Sequence, residues 1–259
     1  MHQHENYREL IWVLAKTDFK LRYHGSFLGY LWAILKPLLM FTILNFVFSS
    51  LFNPKGGNGI PYYSLQLLVG IIMFNFFSEG TMAGMGSLLA KSQLVTKIYV
   101  PRWTIIIAST INSALIYLMN ILVIIFFFAL NRFLPHFPSL LLFVAFSVAI
   151  YVIVLAFALL TAPLYVKFRD LSMIWEVMTS ILFYASPIVY SLQLMPANYQ
   201  KIMLLNPMAF IIHFTKEGLI NNHFADPWKI FIFIATVLLA FALGIFSYNK
   251  LAPTVAEEI

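Results

Sequence analysis

The chain has 259 residues, 61% apolar and 10% charged. Soluble domains run at about 45–50% and about 25%, so a soluble monomer is excluded. The net charge of +6 lies mostly in short loops and reads as a topology signal, not a nucleic-acid footprint.

Several apolar runs of about 20 residues call for transmembrane helices. The runs are continuous rather than alternating, which excludes a β-barrel, and lipid offers backbone groups no partners outside a helix. The fold class is all-α: one polytopic domain over residues 1–259 with six transmembrane helices. There is no cysteine, hence no disulfide framework and no thiolate metal site; this fixes no compartment.

Residues 1–25 carry Glu5, Arg8, Glu9, Lys16, Asp18, Lys20 and Arg22 without an unbroken apolar core, so a cleavable signal is not expected. Residues 4–22 predict an amphipathic helix. Tyr7, Leu10, Ile11, Leu14 and Leu21 share one face, and Glu5, Arg8, Glu9, Lys16 and Lys20 the other. Asp18 and Arg22 fall on the apolar side as an i,i+4 pair able to neutralise each other. We read a helix lying in the cytoplasmic interface. The alternative is a solvent-exposed helix of an intracellular domain, for which little polar chain exists.

Gly25 and Gly29 break that helix before span 1, about 30–52. Tyr30 and Trp32 suit the headgroup level, Lys36 can snorkel inward, and Pro37 is a kink site. A Gly- and Asn-rich outer loop leads to span 2, about 62–88, where Gly80 and Gly84 form a small-xxx-small pair. The stretch Leu89–Arg102 then interrupts the apolar sequence with Lys91, Lys97 and Arg102 and no acid, which marks the cytoplasmic side.

Span 3, about 103–130, carries no charge after Arg102; span 4 is about 139–166. The tiny loop Lys167–Asp170 precedes span 5, about 171–190, and span 6 is about 230–248. Between them, 191–229 holds two apolar segments too short to cross, with Asn206-Pro207 as a helix start. Two re-entrant half-helices in the outer leaflet fit this; so does a hairpin lying flat on the outer surface. With both ends inside, ten Lys and Arg are cytoplasmic and five external, so the bias favours cytoplasmic N- and C-termini.

No catalytic constellation emerges. The chain lacks G-x-x-x-x-G-K-[ST], HExxH and G-x-S-x-G, so no P-loop nucleotide site is expected. His213 and Glu217 are four apart and could pair or share a metal; the pair is the preferred reading, and no metal site is assigned. No Asp or His lies deep in a span, so a proton relay lacks support. Glu79 and Glu176 either meet water and neighbouring cations or line the inner mouth of a pathway. Phe41, Asn45, Phe48 and Phe52 of span 1, and Thr179, Phe183, Ser186 and Tyr190 of span 5, repeat one spacing of rings and polar groups. Such faces suit a carbohydrate conduit. Span 3 has a polar stripe too, Ser109, Asn112, Ser113 and Asn120, and such stripes usually mean helix packing.

Six segments in order carry a resemblance. They are Ser26–Trp32 leading to Lys36-Pro37, Leu94–Arg102, Arg169-Asp170-Leu171, Ser186–Tyr190 and Leu205–Met208, after the interfacial helix. Together they resemble the membrane subunit of polysaccharide ABC exporters of the O-antigen, capsule and teichoic-acid type. The resemblance implies a multi-pass permease of the bacterial cytoplasmic (inner) membrane, exporting a lipid-linked polysaccharide through a channel at a homodimer interface. It implies no bound cofactor, with ATP and Mg held by two copies of a separate ATPase subunit, and no nucleic-acid partner. Lys91, Ser92, Leu94, Lys97, Tyr99, Pro101, Arg102, Arg169 and Asp170 would couple to that ATPase. Leu28, Gly29, Tyr30 and Trp32 would lie where the glycan comes in from the cytoplasmic side. The two aromatic-polar faces would line the channel, and Asn206, Pro207 and Met208 would sit at an outer gate. Permeases of similar layout move drugs or lipids, and an intramembrane transferase is a further alternative.

Overall fold

A computed structural model describes residues 6–22, 24–52, 60, 62–97 and 100–254. Among them the structure is helical, without a strand: α1 (Tyr7–Arg22), α2 (Trp32–Phe52), α3 (Tyr63–Ala90), α4 (Ser92–Lys97), α5 (Arg102–Leu130), α6 (Phe137–Lys167), α7 (Leu171–Tyr184), α8 (Ala197–Met203), α9 (Pro207–Lys216) and α10 (Pro227–Leu251). The expected outer loop after span 1 and Tyr99 lie outside the described residues, as do the side chains of Phe52 and Lys97.

The bundle is built around α3. Of its most apolar stretch 72% is buried, against 17% for α2 and 17% for α10. It packs on α5 and α6, and more lightly on α2, α7 and α9. The small-xxx-small pair explains the close approach of α6. A Cβ on Gly84 would lie 2.4 Å from Ala158 Cβ and 3.1 Å from Thr110 Cγ2, and one on Gly80 2.9 Å from Val154 Cγ1. With no hydrophobic drive between helices in lipid, such backbone proximity supplies the packing energy. Gly244 does the same for α10, where a Cβ would meet the Ala156 carbonyl oxygen at 2.5 Å.

The chain turns between α1 and α2 at Gly25 (φ +76°) and Gly29 (φ +49°), conformations open to glycine. Pro37 sits inside α2, which continues through it.

Among the described residues five helices are long and apolar enough to cross a membrane. The fifth apolar run forms only the 14-residue α7, ending at Tyr184 instead of Tyr190. That is about 21 Å of helix against about 30 Å of hydrocarbon. Pro187 ends it: proline lacks an N–H, and its ring drives Ser186 out of the helical region. The chain closes with Ala185 N donating to Ile181 O and Ser186 N to Phe183 O, then continues as an irregular strap.

Residues 191–229 hold two short helices, α8 and α9, at the two short apolar segments of the sequence. The side chain of Asn206 accepts from Met208 N at 3.0 Å, with Pro207 in the first turn. α9 packs on α3 and α6 with Met208–Ile212 buried, whereas no residue of α8 is buried. α9 then widens into a π turn, Glu217–Asn221.

Candidate functional site

The end of the bundle that holds α1 is organised by the corner between α3 and α4. Lys91 caps the end of α3 and its Nζ meets Asp18 Oδ2 of α1 at 2.5 Å, both side chains mostly buried. Leu14 of α1, Leu89, Leu94 and Val100 pack around Leu88, Ile105, Ile106 and Ala158. Tyr7 sets its ring edge-on to Trp103, with centroids 5.6 Å apart. Pro101 precedes α5, its carbonyl accepting from Thr104 Oγ1 at 2.6 Å, and Arg102 donates to the carbonyl of Ala252. Lys91, Leu94, Pro101 and Arg102 thus share one scaffold with α1, with Ser92 half-buried beside them. Arg169 and Asp170 stand exposed in the turn before α7.

Asp18 and Arg22 reach different elements. While Asp18 holds Lys91, Arg22 meets Glu79 Oε2 at 2.8 Å, and Lys36 meets Glu79 Oε1 at 3.1 Å. Glu79 therefore takes its expected cationic partners. One carboxylate between two cations leaves a local excess of one positive charge. These three side chains, with Ser26 and Trp32, line a basin of about 360 Å³. Beside it Gly29 makes the turn, Leu28 is half-buried, and Tyr30 stacks on Phe19 of α1 at 5.1 Å. The basin adjoins a cleft of about 20 Å³ lined by Asn75, Ser113, Tyr117 and Asn120. Ser113 Oγ and Asn120 Oδ1 are buried there without a partner among the described residues. The cleft holds one water at most.

The two aromatic-polar faces lie largely inside the chain. Phe41 is 6% exposed and meets Phe127 edge-on; Phe183 is 8% exposed and meets Phe74. Asn45 accepts from Ser64 at 2.7 Å, Thr179 is buried, and Phe48 is half-buried. Ser186 is fully buried, and Tyr190 donates to Tyr184 O at 3.0 Å. Thr179 and Phe183 border a groove of about 340 Å³ between α2, α3 and α7, together with Met40, Leu44, Asn75 and Ser78. The opposite faces are open: Phe46 and Val47 on α2, and Ile174, Val177 and Ile181 on α7.

At the opposite end of the bundle, Asn206 Nδ2 donates to Ser186 Oγ at 3.2 Å; Met208 is buried and Pro207 exposed. The charged cluster on α9 differs from the expected His213–Glu217 pair. The Glu217 carboxylate accepts from Asn221 at 2.9 Å and Gln193 at 3.3 Å. Burial pushes the His213 imidazole below its usual range; Glu217 opposes this, while Lys216 and His223 add to it. Among the described residues no group of three or more His, Asp or Glu could hold a metal. Sequence reasoning missed Lys216, counted only as an outer cation. Its Nζ donates to Pro187 O at 2.7 Å and Ile188 O at 3.0 Å.

The chain is 28% identical over 253 residues to an O-antigen export system permease protein RfbA of Klebsiella pneumoniae, covering 96% of this chain and 94% of the relative. It is 26% identical to the protein of that name from Myxococcus xanthus, with 94% of each chain covered. It is 23% identical to the polysialic acid transport protein KpsM of Escherichia coli, with 92% of this chain and 91% of the relative covered. A family model described as ABC-2 type transporter matches residues 9–220, so the chain belongs to the ABC-2 type transporter family.

Proposed function

We propose that this chain is the non-catalytic membrane subunit of an ATP-driven exporter that moves a lipid-linked polysaccharide outward across the bacterial cytoplasmic membrane. The observation that carries the reading is the end-to-end similarity to relatives named for O-antigen export and polysialic acid transport. The channel forms between two copies of the chain, and two ATPase subunits bind the inner face. The α1–α4 corner is the contact for that ATPase: Lys91–Asp18 ties the interfacial helix to the end of the central helix, so a push on either reaches α3. The open apolar faces of α2 and α7 favour a second copy as their cover.

A sixth crossing completes the topology with both termini inside. Trp175 Nε1 of α7 donates to Thr81 Oγ1 toward the inner half of α3, and the strap after α7 reaches Tyr63, at the other end of α3, through Val189 O. α7 and the strap together therefore run most of the length of α3, although α7 alone is short. The basin at Arg22 and Lys36, carrying net positive charge beside the Leu28–Trp32 turn, suits an anionic lipid-linked head group approaching from the cytoplasmic side.

Co-purification with the ATPase encoded beside it, followed by assay of lipid-linked sugars as stimulators of hydrolysis, tests the reading. Stimulation by a lipid-linked glycan is expected. Stimulation only by small lipids or drugs makes the chain a different exporter, and ATP hydrolysis by the pure chain refutes the division of labour.

A further inference from the structure

The strap Ser186–Gln193 crosses the outer turns of α3 and is fastened there by side chains from three elements. Tyr63 Oη donates to Val189 O at 2.8 Å, Asn206 Nδ2 to Ser186 Oγ, and Lys216 Nζ to the carbonyls of Pro187 and Ile188. Glu217 holds the far end through Gln193. Gly70 makes room: a Cβ there would lie 3.3 Å from Ile188 Cγ2 and 3.5 Å from Ile212 Cγ2.

Lys216 is 5% exposed, and its two acceptors are neutral carbonyls. A neutral amine has two N–H groups, which match those two carbonyls. An ammonium has three, and the third finds no acceptor among the described residues. Among the described residues the adjacent anion is Glu217, already engaged by Gln193 and Asn221. The surrounding elements add no compensating charge. α9 contributes His213, α3 contributes Tyr63, and α6 has no charged residue before Lys167. His223 lies in the following loop, where Asp226 is taken by Lys229 at 2.6 Å.

We propose that Lys216 is a proton-operated fastener of the outer strap: the neutral amine holds the strap against α9, and protonation drives it open so that the ammonium reaches water. Geometry places a lone amine under two carbonyls in a buried site, and burial accordingly brings its ionisation down to about 7 from an ordinary 10.5, Glu217 opposing. Opening to water restores the ordinary value, so protons bind the open form more tightly. The opening equilibrium therefore grows as pH falls from about 10.5 to about 7, at up to tenfold per pH unit, and levels off below. The device is independent of what is carried, so its test is separate from any transport assay.

Because the chain has no cysteine, a single thiol reports the strap cleanly. The full chain in nanodiscs, carrying Val189→Cys, is labelled with a membrane-impermeant methanethiosulfonate at pH 9 and pH 6.5. The rate is normalised to the exposed Tyr199→Cys, which removes the pH dependence of the thiol itself. The normalised rate should rise at least tenfold on acidification, and Lys216→Met should abolish the rise. An unchanged rate in the parent, or the same rise in Lys216→Met, overturns the proposal. If Lys216→Met does not fold, the chain with His213→Gln and His223→Gln decides: a retained rise supports Lys216, and a lost rise overturns it.

Discussion

Lys91 and Asp18 lie 73 positions apart in sequence and meet at 2.5 Å, joining α1 to the C-terminal end of the central helix α3. The pair is largely buried, so each partner shields the other from a costly unpaired charge. Asp18→Asn or Lys91→Met should cost about 1.5–3 kcal/mol, in the range of bonds to charged groups. Export should fall while membrane insertion persists. The swap Asp18→Lys with Lys91→Asp should recover part of the loss, measured as ATPase stimulation in the reconstituted complex. Equal activity in all four chains would refute a role for this tie in coupling.

Gly84 packs against α6 and α5 with no room left for a side chain. Gly84→Ala drives a Cβ to 2.4 Å from Ala158 Cβ, so α3 and α6 must separate. Overpacking of this kind costs about 1–3 kcal/mol. The solubilised chain should melt earlier, and adding Ala158→Gly should restore it. Gly86→Ala, with open space around its Cβ, is the control and should be silent or slightly stabilising through helix propensity.

Glu79 joins Arg22 and Lys36 but with unequal weight. Lys36 is 71% exposed at its side chain, so its bond is solvent-screened and contributes little. Arg22, at 34%, carries most of what Glu79 contributes between α1 and α3. Glu79→Gln should therefore loosen α1 by about 1 kcal/mol, seen as faster amide exchange along 7–22. Lys36→Met should leave that exchange unchanged. Higher salt should reproduce part of the Glu79→Gln effect, because exposed pairs are screened.

Apolar run lengths suffice to read α2, α3, α5, α6 and α10, because each exceeds what hydrocarbon requires. Asn206 was legible for a different reason: a cap and a proline in register are local chemistry that tertiary context seldom overrides. The end of α7 was not, although Pro187 signals it, because Ile188, Val189 and Tyr190 continue the apolar run after the helix has stopped. Ring-and-hydroxyl spacing on α2 and α7 selects a face but not which side of the helix meets protein. Phe41 and Phe183 took the inside. Asp18, Arg22 and Lys216 found partners 28 to 73 positions away, which no local spacing encodes.

Asn206 serves two neighbours at once, and two substitutions separate its roles. Its Oδ1 caps α9 through Met208 N, while its Nδ2 donates to Ser186 Oγ in the strap. Asn206→Ala removes both, and the lost cap alone costs about 1 kcal/mol. Amides at the start of α9 should exchange roughly fivefold faster, the factor equivalent to that energy. Asn206→Asp keeps the acceptor and adds charge at a helix N-terminus, where it is favoured. It removes the donor to Ser186. Exchange over 207–212 should then stay near the parent rate, while that over 186–190 rises. If both substitutions accelerate both regions equally, cap and strap form one cooperative unit and the division of labour within Asn206 is wrong.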